Sequence, residues 1–122
     1  MHFAANVLQF YRTLGLTEPL PEGIEAMNPY QSEPAFRVCR IFYEKFYNDD
    51  AKRFLVLGIN PGRNGAGITG IPFTDPVKLE ARFGIPNPFQ KKAELSADFI
   101  YRMIDRYGGP EKFFGKFFIV SL

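Results

Sequence analysis

Two short, almost wholly apolar segments constrain the fold of this chain most strongly. They are residues 53–59 and residues 117–122, and each is too short to be a helix of ordinary length. An apolar run of this length is typical of a strand that is covered on both faces, as in a parallel sheet. The segments between them read as helical, so the order predicts one strand–crossover–strand unit and an α/β fold.

Apolar residues at helical spacing predict helices before and between the two strands. Ser32 is a good N-cap for the second helix, and Asp75 followed by Pro76 is typical of the start of a third. Glycines stand where the third and fourth helices should end. The predicted helices run from Phe3 to Leu14, from the cap at Ser32 to near Asn48–Asp50, from the cap at Asp75 to just before Gly84, and along the stripe Leu95, Phe99, Met103 and Tyr107.

Two strands alone do not make a stable sheet, and both strand patterns require cover on both faces. We therefore expect a three-layer α/β/α domain with a central parallel sheet, of which residues 1–122 supply about half. The remainder would come from a continuation beyond Leu122 or from another chain. No linker or repeat divides the sequence, so we treat residues 1–122 as part of a single domain.

Composition excludes some classes of function but does not identify one. A net charge of +2 permits a nucleic-acid partner but does not require it. Cys39 is the single cysteine, which excludes an internal disulfide, and no Cys/His cluster has the spacing of a zinc or iron–sulfur site. We expect no metal and no cofactor. The start of the chain does not resemble a secretion signal and no apolar run is long enough to span a bilayer, so we expect a cytoplasmic protein.

A glycine-rich segment follows the first predicted strand. Residues 58–73 hold five glycines and lie where ligands bind in open parallel sheets, beyond the carboxyl end of a strand. No Gly-Lys-Ser/Thr follows, which excludes a Walker loop, and the glycine spacing does not fit a dinucleotide fingerprint. The pattern alone leaves two interpretations open: a ligand-binding loop, or a tight connection whose glycines satisfy turn geometry.

The same segment resembles the first motif of the uracil-DNA glycosylase superfamily. Gly58-Ile59-Asn60-Pro61-Gly62 has the form of the mismatch-specific branch. The longer run through Thr69-Gly70-Ile71-Pro72-Phe73 is similar to the single-strand-selective monofunctional branch. Weaker similarities in the same order extend the resemblance over residues 27–122, at Asn28-Pro29, at Glu94-Leu95-Ser96 and at Pro110–Phe114.

The resemblance implies a role for each of four positions. Asn60 matches the residue that holds the hydrolytic water, and Phe73 matches the residue that stacks on the flipped base. The backbone near Ile59 would donate to a base carbonyl. Gly62 occupies a position where related branches place a tyrosine that blocks the thymine methyl group, so a glycine would leave room for 5-substituted pyrimidines. From the residues alone, Asn60 could instead form a turn and Phe73 could be a core aromatic.

Two departures from the family pattern bear on the substrate. Ser121 stands where the single-strand-selective branch has an asparagine that reads the base edge, and a serine offers one hydroxyl in place of an amide. The second family motif, a loop that carries a histidine, is absent from residues 1–122: the single histidine, His2, matches nothing in the family. Arg63 replaces a family proline.

The resemblance implies a monofunctional DNA glycosylase that hydrolyses the N-glycosidic bond of uracil, or of a modified uracil, in DNA. The expected partner is uracil-containing DNA, single- or double-stranded, with no membrane, and the complete domain is expected to be a monomer. Two alternatives stay open at this point. One is a non-catalytic module that binds damaged or single-stranded DNA, and the other is a hydrolase of small nucleotides on a similar sheet.

Overall fold

A computed structural model describes residues 2–59, 62 and 65–121 of the chain. Over these residues it contains six helices, two strands and one 3₁₀ turn at Pro29–Gln31. The elements, in chain order, are α1 (His2–Thr13), α2 (Glu33–Phe46), β1 (Phe54–Gly58), α3 (Ala66–Thr69), α4 (Pro76–Phe83), α5 (Leu95–Tyr107), α6 (Pro110–Lys116) and β2 (Phe117–Ser121). All four predicted helices and both predicted strands are present, while α3, α6 and the 3₁₀ turn were not predicted.

The two strands pair in parallel, in a register that joins Phe54 to Phe117 and Gly58 to Ser121. Side chains of neighbouring residues on β2 point to opposite faces, and helices cover both. On one face the ring of Phe118 packs against Phe3 of α1. On the other face the ring of Phe117 packs against Tyr107 of α5 and Phe113 of α6. The α/β/α layering is therefore confirmed at β2.

The expectation that both strands are buried is correct for part of β2 and wrong for β1. Ile119 in β2 is 5% exposed, whereas Phe54, Leu55 and Leu57 in β1 are 62%, 59% and 59% exposed. The reason is topological: β2 covers one edge of β1, and the helices of the described residues pack over β2 and leave both faces of β1 uncovered. The apolar sequence of β1 matches a covered strand, but the cover is not supplied by these residues.

The fourth predicted helix is present, but the stripe that predicted it lies on the wrong face. Leu95 and Phe99 are 86% and 63% exposed, and Met103 and Tyr107 are also exposed. The buried residues of α5 are Ala97, Tyr101 and Ile104. These three also follow helical spacing, so α5 has two apolar stripes, and periodicity alone could not decide which of them faces the core.

The largest part of the core is built on α2. Seven of its residues are buried: Ala35, Phe36, Val38, Cys39, Phe42, Tyr43 and Phe46. Ser32 occupies the N-cap position as predicted, although its side chain makes no capping hydrogen bond. Cys39 is fully buried, its Sγ lies 3.1 Å from the carbonyl oxygen of Thr69, and burial raises the pKa of its thiol to about 12. It is therefore an unreactive core residue.

A buried arginine connects the start of β1 to three helices. The side chain of Arg53 is 1% exposed, and its guanidinium lies 4.7 Å from the ring centres of both Phe3 and Tyr47. Its Nε donates to the carbonyl oxygen of Phe114 over 2.6 Å. Its two terminal nitrogens donate to the carboxylate of Asp49 over 2.8 and 3.0 Å. This planar, forked geometry can be provided by arginine and not by lysine.

We predict that Arg53→Lys lowers the free energy of unfolding by about 2–3 kcal/mol, because a lysine keeps the charge but cannot serve the carboxylate and the carbonyl together. Arg40→Lys on the exposed face of α2 is the matched control and should change it by less than about 0.5 kcal/mol. The measurement is urea unfolding followed by circular dichroism. Equal losses in the two variants would contradict the structural role of Arg53.

Stability should also fall in acid through Asp49. Hydrogen bonds from the Arg53 side chain lower the pKa of this carboxyl from 3.8 to about 2. A lowered pKa in the folded state means that the contribution is complete above pH 3.8 and is lost as the pH falls toward 2. Unfolding titrations between pH 6 and pH 2 should show a shallower acid loss for Asp49→Asn than for the wild type. Identical pH dependence would contradict the assignment.

Candidate functional site

A cleft of about 420 Å³ lies beyond the carboxyl ends of the two parallel strands. Four of the five residues predicted for the site line it: Ile59, Gly62, Phe73 and Ser121. Gly58, Thr74, Glu94 and Ser96 line it as well. Asn60, the predicted water-holding residue, and Arg63 lie outside the described residues. The structure thus brings together residues from β1, from the glycine-rich segment, from the start of α5 and from the end of β2.

The floor of the cleft is the ring of Phe73 against the backbone of Gly58. A Cβ placed on Gly58 would lie 3.0 Å from Cζ of Phe73 and 3.4 Å from Oγ of Ser121. A side chain at position 58 would therefore press on the Phe73 ring, which would have to shift by a few tenths of an ångström, and would contact the Ser121 hydroxyl. Strand pairing explains the third member, because Ser121 is the register partner of Gly58. The result is an aromatic surface with a hydroxyl beside it.

Phe73 has an unusual backbone conformation, with φ at 55°. A bulky residue in this left-handed region is strained, and such strain persists only where the surroundings enforce it. Buried residues on both sides do so: Ile71 is 1% exposed, and Thr74 is 2% exposed and hydrogen-bonds through its hydroxyl to that of Tyr101. The ring of Phe73 is half-buried, with one part against the core and one part in the cleft.

The glycine-rich segment packs against a pair of stacked tyrosine rings, Tyr30 and Tyr11. Gly70 has φ at 78°, and a Cβ there would lie 2.6 Å from Sγ of Cys39 and 2.7 Å from the ring of Tyr30. The Tyr30 hydroxyl donates to the carbonyl oxygen of Gly70 over 2.8 Å, and its ring stacks on Tyr11 at 4.1 Å. The side-chain oxygen of Asn28 accepts a hydrogen bond from the backbone N–H of Tyr30. This gives a structural role to Asn28-Pro29, one of the pairs that resembles the family. These contacts fix the backbone that leads to Phe73.

A buried carboxylate anchors the opposite wall. Asp75 is fully buried, caps α4 through the N–H of Lys78 at 2.8 Å, as predicted, and accepts the N–H of Glu94 at 2.9 Å. Its third donor is the ammonium of Lys78, which also pairs with Asp98. Burial tends to raise the pKa of Asp75, but the N–H groups and the ammonium outweigh it and the pKa is lowered. The carboxylate therefore ties the first turns of α4 and α5 together.

Sequence reasoning missed Glu94 and Asp75 as parts of the site. The signal for Glu94 was the Glu94-Leu95-Ser96 match to the family pattern, which carried no role. Asp75 was recognised as a helix cap, but its link to Glu94 depends on the tertiary structure. No group of three or more His, Cys, Asp or Glu residues that could hold a metal ion occurs among the residues with described positions. No helix in the described part of the chain is both long and apolar enough to cross a membrane.

We predict that Asp75→Asn destabilises the fold by about 2 kcal/mol, because a buried, charge-assisted cap loses its charge and one acceptor. Asp98→Asn provides a matched control, since Asp98 bonds the same lysine but its side chain is 49% exposed. That variant should lose no more than about 0.5 kcal/mol. Thermal and urea unfolding measure both. A loss at Asp98 as large as the loss at Asp75 would show that burial is not the deciding factor.

Among solved structures, the chain is similar to wild-type SMUG2 of Pedobacter heparinus, with 47% sequence identity and a TM-score of 0.90. The match covers 98% of this chain and 52% of that one, so the chain spans about half the length of SMUG2. SMUG2 is a protein of the uracil-DNA glycosylase family, which confirms the resemblance predicted from the sequence and the partial α/β fold. No family model matches the chain, and no curated protein matches it.

Proposed function

We propose that this chain, which has the fold of about half of a uracil-DNA glycosylase-family protein, carries the base-binding and water-positioning part of a DNA glycosylase site. The reaction is hydrolysis of the N-glycosidic bond of uracil, or of a modified uracil, in DNA. The likeness to SMUG2 supports the family, and the cleft supports the chemistry. The chain spans about half of SMUG2, so its likeness to SMUG2 does not establish activity for residues 1–122 alone. Activity of these residues is proposed and is tested directly below.

The single observation that carries the proposal is the meeting of Gly58, Phe73 and Ser121 at the ends of two parallel strands. An enzyme that acts on a base in DNA must take the base out of the stack, and the site then needs an aromatic face and polar groups at its edge. A half-buried phenyl ring beside a hydroxyl supplies both, and a cleft of about 420 Å³ is large enough to admit a pyrimidine with its sugar. Stacking on such a ring contributes roughly 1–3 kcal/mol and does not distinguish bases.

Catalysis would depend on the backbone and on Asn60. Backbone N–H groups near Ile59 would donate to a carbonyl of the leaving base, which gains negative charge as the bond breaks. The Asn60 carboxamide would orient a water beside C1′, since an amide has no useful basicity. A neutral water is sufficient if the bond breaks early and leaves an oxocarbenium-like sugar. Ser121 offers its hydroxyl to the base edge, and Gly62 places no side chain of its own against a 5-substituent.

A labelled oligonucleotide with one uracil tests the proposal. Incubation with the protein followed by heating in alkali should give strand cleavage at the uracil, and an oligonucleotide with thymine at the same position serves as control. Retardation on a gel without cleavage would instead favour a DNA-binding module. Release of uracil from free deoxyuridine or dUMP but not from DNA would favour a small-nucleotide hydrolase, and no effect in any assay would refute the proposal.

For the role of Asn60, we predict that Asn60→Ala lowers the single-turnover rate by about 100-fold, in the range seen when a positioned catalytic donor is removed. Binding to the uracil oligonucleotide should change less than about threefold, because the side chain orients water rather than holding DNA. Asn48→Ala, at an exposed position after α2, is the control and should retain the wild-type rate. An Asn60→Ala variant as fast as the control would refute the role.

A further inference from the structure

We propose that Tyr101 is a positioning residue for the base-stacking ring of the cleft, because its hydroxyl fixes the backbone beside Phe73. The inference rests on the proposed function, which it deepens by assigning a role in base binding to a residue that does not line the cleft. Tyr101 lies in α5, far from Phe73 along the chain. Thr74 connects the two: it follows Phe73 directly, lines the cleft and hydrogen-bonds through its hydroxyl to that of Tyr101.

The backbone of Phe73 needs a restraint from outside. Its φ of 55° is unfavourable for a bulky side chain, and a chain without restraint would relax to an ordinary conformation. Relaxation would turn the ring away from Gly58, where a Cβ would now lie 3.0 Å from its Cζ and 3.1 Å from its Cε2. The direction of the stacking ring therefore depends on how the residues on either side of Phe73 are held.

The residue after Phe73 is held by a buried pair of hydroxyls. Thr74 and Tyr101 are 2% and 3% exposed, so bulk water does not compete for their hydrogen bond. Burial raises the pKa of Tyr101, and its hydroxyl therefore stays protonated. Removing one hydroxyl would leave the other buried without this partner, and that side chain could regain a partner only by moving. Because Thr74 is bonded directly to Phe73, such a movement changes the backbone that carries the ring.

Tyr101 is itself fixed by its packing on α4. Its ring lies against Phe83 with 5.2 Å between the ring centres, and the guanidinium of Arg82 lies 5.4 Å from the centre of the Tyr101 ring. Both partners belong to α4. The hydroxyl therefore reaches Thr74 from a packed part of the core, and it can hold the backbone of Phe73 in place.

Two oligonucleotides separate binding of the base from binding of the backbone. One carries uracil on a 2′-fluoroarabino sugar, whose fluorine disfavours the sugar cation and so slows hydrolysis, and the other carries an abasic tetrahydrofuran at the same position. We expect the wild-type chain to bind the uracil oligonucleotide more tightly, as measured by fluorescence anisotropy. In Tyr101→Phe this preference should fall by about fivefold, the lower end of the range for a base stacked on an aromatic ring. Binding of the abasic oligonucleotide should change less than about twofold.

Tyr47→Phe is the matched control, because it also removes the hydroxyl of a buried tyrosine. The Tyr47 hydroxyl donates to the carbonyl oxygen of Phe117 over 3.0 Å, away from the cleft. This variant should lose stability to urea as Tyr101→Phe does, but it should keep the wild-type preference for the uracil oligonucleotide. A general loss of stability therefore cannot reproduce the effect expected for Tyr101.

Variants of the two other residues test the path from Tyr101 to the ring. Thr74→Val lacks the hydroxyl and should lose the preference as Tyr101→Phe does, whereas Thr74→Ser keeps the hydroxyl and should retain it. These two variants carry the test if Tyr101→Phe does not fold. Phe73→Ala removes the stacking ring, so adding Tyr101→Phe to it should cause no further loss of preference.

Nuclear magnetic resonance gives a readout that does not need DNA, since the HN–Hα coupling and the Cα shift of Phe73 report its φ. Both should change in Tyr101→Phe and stay as in the wild type in Tyr47→Phe. An unchanged preference in Tyr101→Phe, an equal loss in Tyr47→Phe, or a further loss in the Phe73→Ala background would overturn the assignment. If the wild type does not prefer the uracil oligonucleotide, the proposed function fails, and the coupling still decides whether Tyr101 holds Phe73.

Discussion

The buried guanidinium of Arg53 is the interaction on which the arrangement of elements depends. It lies beside the stacked rings of Phe3 and Tyr47, donates to the carboxylate of Asp49 and donates to the carbonyl oxygen of Phe114. Phe3 belongs to α1 and Phe114 to α6, while Tyr47 and Asp49 follow the end of α2. Because Arg53 directly precedes β1, the contacts set the position from which the strand starts. Five residues later the same strand delivers Gly58 to the cleft.

The cleft is held by contacts that do not involve the uncovered faces of β1. The ring of Phe73 at its floor is held by the buried residues on either side of it. The glycine-rich segment packs on Tyr30 and Cys39, and Asp75 anchors the backbone of the opposite wall. The exposed side chains of β1 lie along the strand, whereas the cleft lies beyond its end. Covering β1 would add stability to the sheet, but the walls that the described residues supply are already in place without it. The proposed base-binding surface and the cover of the sheet therefore depend on different contacts.

Local patterns predicted the elements well, and tertiary geometry decided what the patterns left open. Asp75 and Gly84 mark the ends of α4 as predicted, because capping is a local property of the backbone. The buried face of α5 could not be predicted, since both of its stripes are apolar and the choice depends on the neighbouring elements. The exposure of β1 could not be predicted from its own residues, because it depends on which elements pack on its faces. The position of Glu94 over Gly62 required the fold, because the two residues are far apart in sequence.

The lining of the cleft is compatible with the proposed reaction, in which the base leaves with negative charge. The departing base would lie on an apolar ring next to a hydroxyl and near backbone N–H groups at the end of β1, all of which tolerate or stabilise negative charge. The carboxylate of Glu94 lies over the backbone of Gly62, where a Cβ would be 2.5 Å from its Oε1. A carboxylate in direct contact with the base would oppose its departure. The buried residues that flank Phe73 enforce its strained backbone and hold its ring in the cleft before any substrate binds, so the proposed stacking surface requires no rearrangement.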